Sequence, residues 1–160
     1  MTWIDDANRR LREQQERDRE ITEHEVEVYD ALWDELKRHV EDARATLQGI
    51  RTNGQPLSHV VSLPVAPVPP LSESAPRTAT VSLVRETHTI AAEIYYPGGL
   101  ARGDTVTVSF LVDIKRDRDV CLTLGDVEIP FKDAARYILW PLLFPELPAL
   151  PPYQRPGFIV

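Results

Sequence analysis

The chain has 160 residues, of which 42% are hydrophobic and 27% charged, and its formal net charge is −7. This length favours a single core, and the acidic balance argues against binding of nucleic acid or of an anionic membrane surface, because both need an excess of Lys and Arg. The single cysteine, Cys121, excludes an internal disulfide and a thiolate zinc site within one chain.

Targeting and membrane signals are not found in the sequence. The first residues have neither a basic start nor an apolar run, and no stretch approaches the ~18 apolar residues that a membrane span needs. Together with the lone cysteine, this pattern is typical of a reducing compartment. We therefore expect a cytoplasmic protein.

One long helix is predicted over residues 3–50, because neither Pro nor Gly occurs there before Gly49. Thr2 and Asp5 have the spacing of a weak capping box, and Gly49 stands where a helix can end. Apolar residues in the second half recur on one helical face: Val26, Tyr29, Leu32, Trp33, Leu36, Val40, Ala43, Leu47 and Ile50. We expect this half to pack against the core of one domain, residues 26–160.

The first half of the helix, residues 1–25, has a different character. Nearly every side chain between Arg9 and Glu27 is charged or carries an amide. The whole helix would span ~70 Å, whereas a body built from the other residues is ~35 Å across, so the charged half should overhang as an arm. Its tip carries the candidate partner-binding residues Trp3, Ile4, Ala7 and Leu11. The alternatives are a solvated extension without a partner and a helix that folds back.

Two stretches are rich in proline. Residues 64–76 are predicted to form a stiff, extended connector, because proline at this density is incompatible with helix and interior strand. A proline-rich ligand segment is the alternative. Residues 145–160 also contain many prolines, but their apolar content favours a strap of extended chain across the body.

Between these stretches the pattern changes to alternation with a period of two, which is typical of strands. Residues 59–63, 81–83, 90–96, 105–114, 120–124 and 127–129 are the candidate strands, with turns at Glu86–Thr87, Pro97–Gly99 and Gly125–Asp126. A short helix over 131–143, ended or kinked at Pro141, follows. The predicted fold is α+β: the long amphipathic helix packs on a meander of four or five antiparallel strands, with a short C-terminal helix and a proline-rich tail.

No catalytic, cofactor-binding or metal site is predicted. The four histidines, at 24, 39, 59 and 88, do not form a helical i,i+3 or i,i+4 pair, and His88 is expected to be solvated. Cys121 is expected to be a small strand residue. Glu93 and Asp113 are the two carboxylates that neighbouring strands could bring onto one sheet face.

Two functional hypotheses remain open. The first is a non-enzymatic protein-interaction or self-association module whose partner is another protein or a second copy, with a homodimer possible. The second is a small-ligand-binding protein or enzyme with a pocket between sheet and helices. The residues expected to line that pocket are Tyr95, Tyr96, Trp33, Trp140 and Phe110.

Overall fold

The computed structural model describes residues 2–47, 49–64, 76–100, 103–115 and 119–154. The elements follow in chain order: α1 (Trp3–Arg44), β1 (Arg51–Gln55), β2 (Ser58–Leu63), β3 (Arg77–Val84), β4 (Thr89–Leu100), β5 (Gly103–Ile114), β6 (Val120–Leu124), β7 (Val127–Ile129) and α2 (Phe131–Leu143). Most of the predicted connector, residues 65–75, and the end of the predicted strap, residues 155–160, lie outside the described residues.

The strands form one antiparallel sheet in the order in which they occur along the chain, β1 to β7. The predicted α+β class is confirmed, but four or five strands are too few, since the described part of the chain forms a sheet of seven. The turns at 85–88 and at Gly125–Asp126 join the strands that the alternation predicts. Both Gly125 and Asp126 have positive φ, as a tight two-residue hairpin requires.

The strand β1 is not predicted from the sequence, which indicates a helix up to residue 50 and a turn after it. The helix ends at Arg44 rather than at residue 50, and Arg51–Gln55 pairs with β2 as an edge strand. Its side chains are nearly all exposed, so it lacks the alternation that marks a half-buried strand. Gly54 suits this hairpin because a Cβ there would lie 2.5 Å from the Ser58 carbonyl oxygen.

A second correction concerns the end of β4. Pro97, Gly98 and Gly99 were expected to end this strand, yet β4 continues to Leu100, which pairs with Gly103. The pairing register shifts between Tyr95 and Leu100, so the ladder with β5 is irregular over these residues and resumes at Leu100.

Both helices cover one face of the sheet and contact each other. Alternate residues of β4 turn toward them, and the α1 face from Ile21 to Val40 fills the space above. α2 continues through Pro141 to Leu143, so the proline does not end it. The largest fully buried side chains are Tyr29, Phe110, Leu32, Leu36, Ile90, Ile94, Leu122, Ile138 and Leu142.

The same substitution at two places on α1 should separate its core from its arm. Leu36 is fully buried whereas Leu11 is 56% exposed. Leu36→Ala should lower the free energy of unfolding by about 2–5 kcal/mol, because it leaves a cavity, and Leu11→Ala should change it by less than about 0.5 kcal/mol. Urea denaturation followed by circular dichroism measures both. Equal effects at the two positions would contradict this division of the helix.

Candidate functional site

The tip of α1 carries the four residues that the sequence singles out. Trp3, Ile4 and Leu11 are 79%, 52% and 56% exposed, and Ala7 is exposed as well. The capping box forms as predicted: the Asp5 amide donates to Thr2 Oγ1 (3.3 Å) and the Thr2 amide to Asp5 Oδ2 (3.1 Å). The N-terminus of the helix is therefore capped, and the apolar side chains beside the cap are exposed to solvent.

The arm meets the body at Arg17, whose guanidinium pairs with Asp113 Oδ1 at the end of β5. Burial alone would raise the pKa of Asp113, but the hydrogen bond from Arg17, another from the Ile114 amide and the Arg17 charge together hold that pKa below its usual value. Ile21, one turn further on, is buried. Residues 3–16 thus extend about 20 Å beyond the first contact with the sheet.

A buried carboxylate on α1, Glu25, holds the helix to the turn between β3 and β4 through a partly buried His88 and a half-exposed Arg85. The carboxylate of Glu25 is fully buried, with Oε1 accepting from Arg85 Nε at 2.8 Å and Oε2 lying 2.7 Å from His88 Nδ1. His88 adopts a positive φ of 52°, and its carbonyl accepts from the Val112 amide at 2.8 Å. Both oxygens of the carboxylate are satisfied, so the cluster clamps the helix, the turn and β5 together.

Glu25 lies in the stretch of α1 that is predicted to be solvated, and His88 is also predicted to be solvated; both predictions are wrong. The available signal was position, since Glu25 lies one turn from both Ile21 and Tyr29 on the buried stripe. A carboxylate there needs a partner. That partner could not be found from the sequence, because Arg85 and His88 are 60 and 63 residues away.

Removing this carboxylate should be far more disruptive than removing an exposed one nearby. Glu25→Ala should lower the free energy of unfolding by about 1–3 kcal/mol, because it leaves the partly buried His88 Nδ1 without its acceptor, whereas Arg85, whose side chain is 52% exposed, can be hydrated instead. Glu23→Ala, on the exposed face of the same helix, should change it by less than about 0.5 kcal/mol. Chemical denaturation of both variants tests this. A small effect at Glu25 would show that the cluster is not a clamp.

Next along α1, an aromatic cluster joins the helix to β2 and β3. The Tyr29 hydroxyl donates to the Val81 carbonyl (2.9 Å) and lies 2.7 Å from His59 Nδ1, which must therefore be the donor in that pair. The His59 ring stacks on Trp33, with centroids 4.2 Å apart. Burial raises the pKa of Tyr29 to about 12 and lowers the pKa of His59.

The depressed pKa of His59 predicts a loss of stability in mild acid. Because the folded pKa lies below the unfolded value of about 6.5, the unfolded chain takes up the proton first as the pH falls. The stability contributed by neutral His59 is thus complete above about pH 6.5. It is lost as the pH falls from there toward the pKa of His59 in the folded state. Denaturation between pH 7.5 and 5.5 should show a steeper decline for the wild type than for His59→Phe, which keeps a stacked ring. Parallel declines would contradict the assignment.

An apolar groove of about 730 Å³ lies between α2, the sheet and the segment after α2. Of the residues expected to line a pocket, Tyr96 and Trp140 do so here. Phe110 is fully buried, Trp33 stacks on His59, and Tyr95 is 48% exposed and alternates with the buried Tyr96. The Tyr96 hydroxyl donates to the Pro141 carbonyl at 2.6 Å, so its polar group is already used within the fold.

Residues 145–154 lie along α2. Trp140 Nε1 donates to the Pro148 carbonyl at 3.0 Å, and the Tyr137 hydroxyl donates to the Pro151 carbonyl. The Tyr153 hydroxyl donates to Asp133 Oδ2 at 3.0 Å. The contacting residues of α2 run backwards from 140 to 133 while those of the tail run forwards from 148 to 153. Residues 145–154, hereafter called the strap, therefore run antiparallel to α2.

The remaining candidates for chemistry are not brought together. Glu93 pairs across the sheet with Thr107 and Asp113 with Cys121, so the two carboxylates are not neighbours. Cys121 is buried in β6. Among the described residues no group of three or more His, Cys, Asp or Glu side chains could hold a metal ion, and no helix is long and apolar enough to cross a membrane.

Comparison with protein-family models, curated proteins and solved structures found nothing that matches this chain.

Proposed function

We propose that this protein is a non-enzymatic interaction module that binds another protein chain through the tip of α1, and that a second copy is the first partner to test. The observation that carries the proposal is the exposure of Trp3, at 79%, and of Leu11, at 56%, on a helix that extends beyond the body. Large apolar side chains on such an extension favour a partner that removes them from water.

The shape of this surface supports a protein partner rather than a small ligand. Ile4, Ala7 and Leu11 follow one another at helical spacing on a convex face, which offers a small molecule no enclosure. A helix from another chain can cover such a stripe along its length. Two copies would present the same stripe to each other, as a symmetric dimer requires.

The charged side chains beside the stripe would help the arm to discriminate between partner surfaces. Asp6 pairs with Arg9 at 2.5 Å and lies 3.7 Å from Arg10, and all three side chains are substantially exposed. Exposed pairs of this kind add little stability to the helix. They influence which surface can approach, because like charges across an interface are penalised.

Substitution of the stripe tests the proposal. The wild type should show a mass above that of the monomer, rising with concentration in light scattering, whereas Trp3→Ser/Leu11→Ser should remain monomeric because the apolar contact is removed. Arg12→Ser/Glu16→Ser, which changes two exposed residues of the same arm away from the stripe and leaves the net charge unchanged, is the matched control and should behave as the wild type.

A wild type that is monomeric at every concentration would exclude the second copy. The partner would then be sought by affinity capture with the wild type and both double variants. Co-purifying proteins retained equally by all three would overturn the proposal.

The groove beside α2 favours a second candidate, the binding of a small apolar ligand. Its volume of about 730 Å³ is within the range of ligand pockets, and its lining includes Val106, Val108 and Phe144. Binding of a fluorescent apolar dye that is abolished by Val108→Asp would support this function. Unchanged dye binding in that variant would exclude the groove.

A further inference from the structure

The strap contacts α2 at three successive positions rather than at one. Trp140 bonds to Pro148, Tyr137 to Pro151, and Asp133 to Tyr153. Each step toward the start of the helix is matched by a step toward the end of the strap. The Tyr153 ring also meets the Tyr137 ring edge-on, with centroids 6.0 Å apart. The helix therefore binds an extended chain through contacts at successive positions.

The chemistry of this face suits proline. A proline has no amide hydrogen, so its backbone offers only a carbonyl, and its fixed φ means that little conformational freedom is lost on docking. Trp140 and Tyr137 present a flat apolar ring with a donor at its edge, and each donor reaches a proline carbonyl. Aromatic surfaces of this kind recognise proline-rich chains in proteins generally.

The strap covers this face without being buried in it. Residues 146–149, 151, 152 and 154 are exposed, and only Leu150 and Tyr153 are partly buried after the turn that Leu147 N closes on the Phe144 carbonyl. Beside the strap, Val106 and Phe144 remain 40% and 39% exposed along the groove. The apolar surface next to the seated chain is thus larger than the strap itself uses.

Charge restricts which chain fits. The guanidinium of Arg136 lies 5.7 Å from the centre of the Trp140 ring and is exposed, so this face carries a positive charge beside the indole. The strap carries an acidic residue, Glu146, between Pro145 and Pro148. An acidic residue therefore suits the end of the face near Trp140, whereas at the other end Asp133 accepts a hydrogen bond from Tyr153 and would repel a second carboxylate.

We propose that the Tyr137–Trp140 face of α2 is a recognition site for an extended, proline-rich segment of a partner protein, preferably with an acidic residue, and that the strap occupies this site in cis until a partner segment displaces it. This site is distinct from the arm, so either proposal can fail without the other.

The test uses the full-length, ¹⁵N-labelled protein and a synthetic peptide with the sequence of residues 145–154. The protein has three indole N–H signals, and the signal of Trp140 should move on titration while those of Trp3 and Trp33 serve as internal controls. A peptide in which alanine replaces both Pro148 and Pro151 should shift the Trp140 signal far less. A peptide carrying Glu146→Lys should bind more weakly than the unchanged one.

Competition with the strap gives the sharper readout. Tyr153→Phe removes the hydrogen bond to Asp133 and loosens the strap, so the labelled variant should bind the peptide about two- to tenfold more tightly than the wild type. Tyr95→Phe, which changes an exposed tyrosine of β4 on the sheet face away from the helices, is the matched control and should leave the affinity unchanged.

Three results would overturn the proposal. The first is a Trp140 signal that does not move at millimolar peptide in either the wild type or Tyr153→Phe. The second is an equal shift with the alanine peptide, which would mean that the surface is apolar but not selective for proline. The third is an affinity that is the same in Tyr153→Phe and the wild type, which would mean that the strap does not compete.

Discussion

The buried carboxylate of Glu25 determines how this chain divides into body and arm. It is fully enclosed and accepts hydrogen bonds from two residues of one tight turn, and this contact ties a single position of the helix to that turn. The same clamp supports a turn that lacks Gly, Asn and Pro and that places His88 at positive φ. Four residues before Glu25 lies Ile21, the first buried position of α1, and the helix before Arg17, which pairs with Asp113, extends into solvent.

The parts of the fold that could be predicted are those in which one face of an element is buried. The alternation along β4 and β5 and the apolar stripe from Tyr29 to Val40 follow directly from that burial. β1 could not be recognised, because an edge strand with exposed side chains has no such pattern. The continuation of β4 past Pro97 depends on its pairing with β5, which is a tertiary effect.

The candidate surfaces show the same contrast. Trp3 and Leu11 could be singled out because an apolar residue in a charged helix is conspicuous in the sequence itself. The face of α2 that binds the strap could not be predicted from the sequence. It forms only because the indole of Trp140 meets the carbonyl of Pro148 across a turn. Proline content predicts an extended tail, but which side-chain donors hold it depends on the tertiary fold.

The contact between α1 and α2 also bears on the order in which the protein is made. The ribosome completes α1 at Arg44 and begins α2 at Phe131, and at typical rates on the order of ten seconds of translation separate the two. During this interval the stripe that contains Leu32 and Leu36 lacks its final cover. The nascent chain therefore leaves this apolar face of α1 incompletely covered for much of its synthesis, a period in which chaperones have access to it.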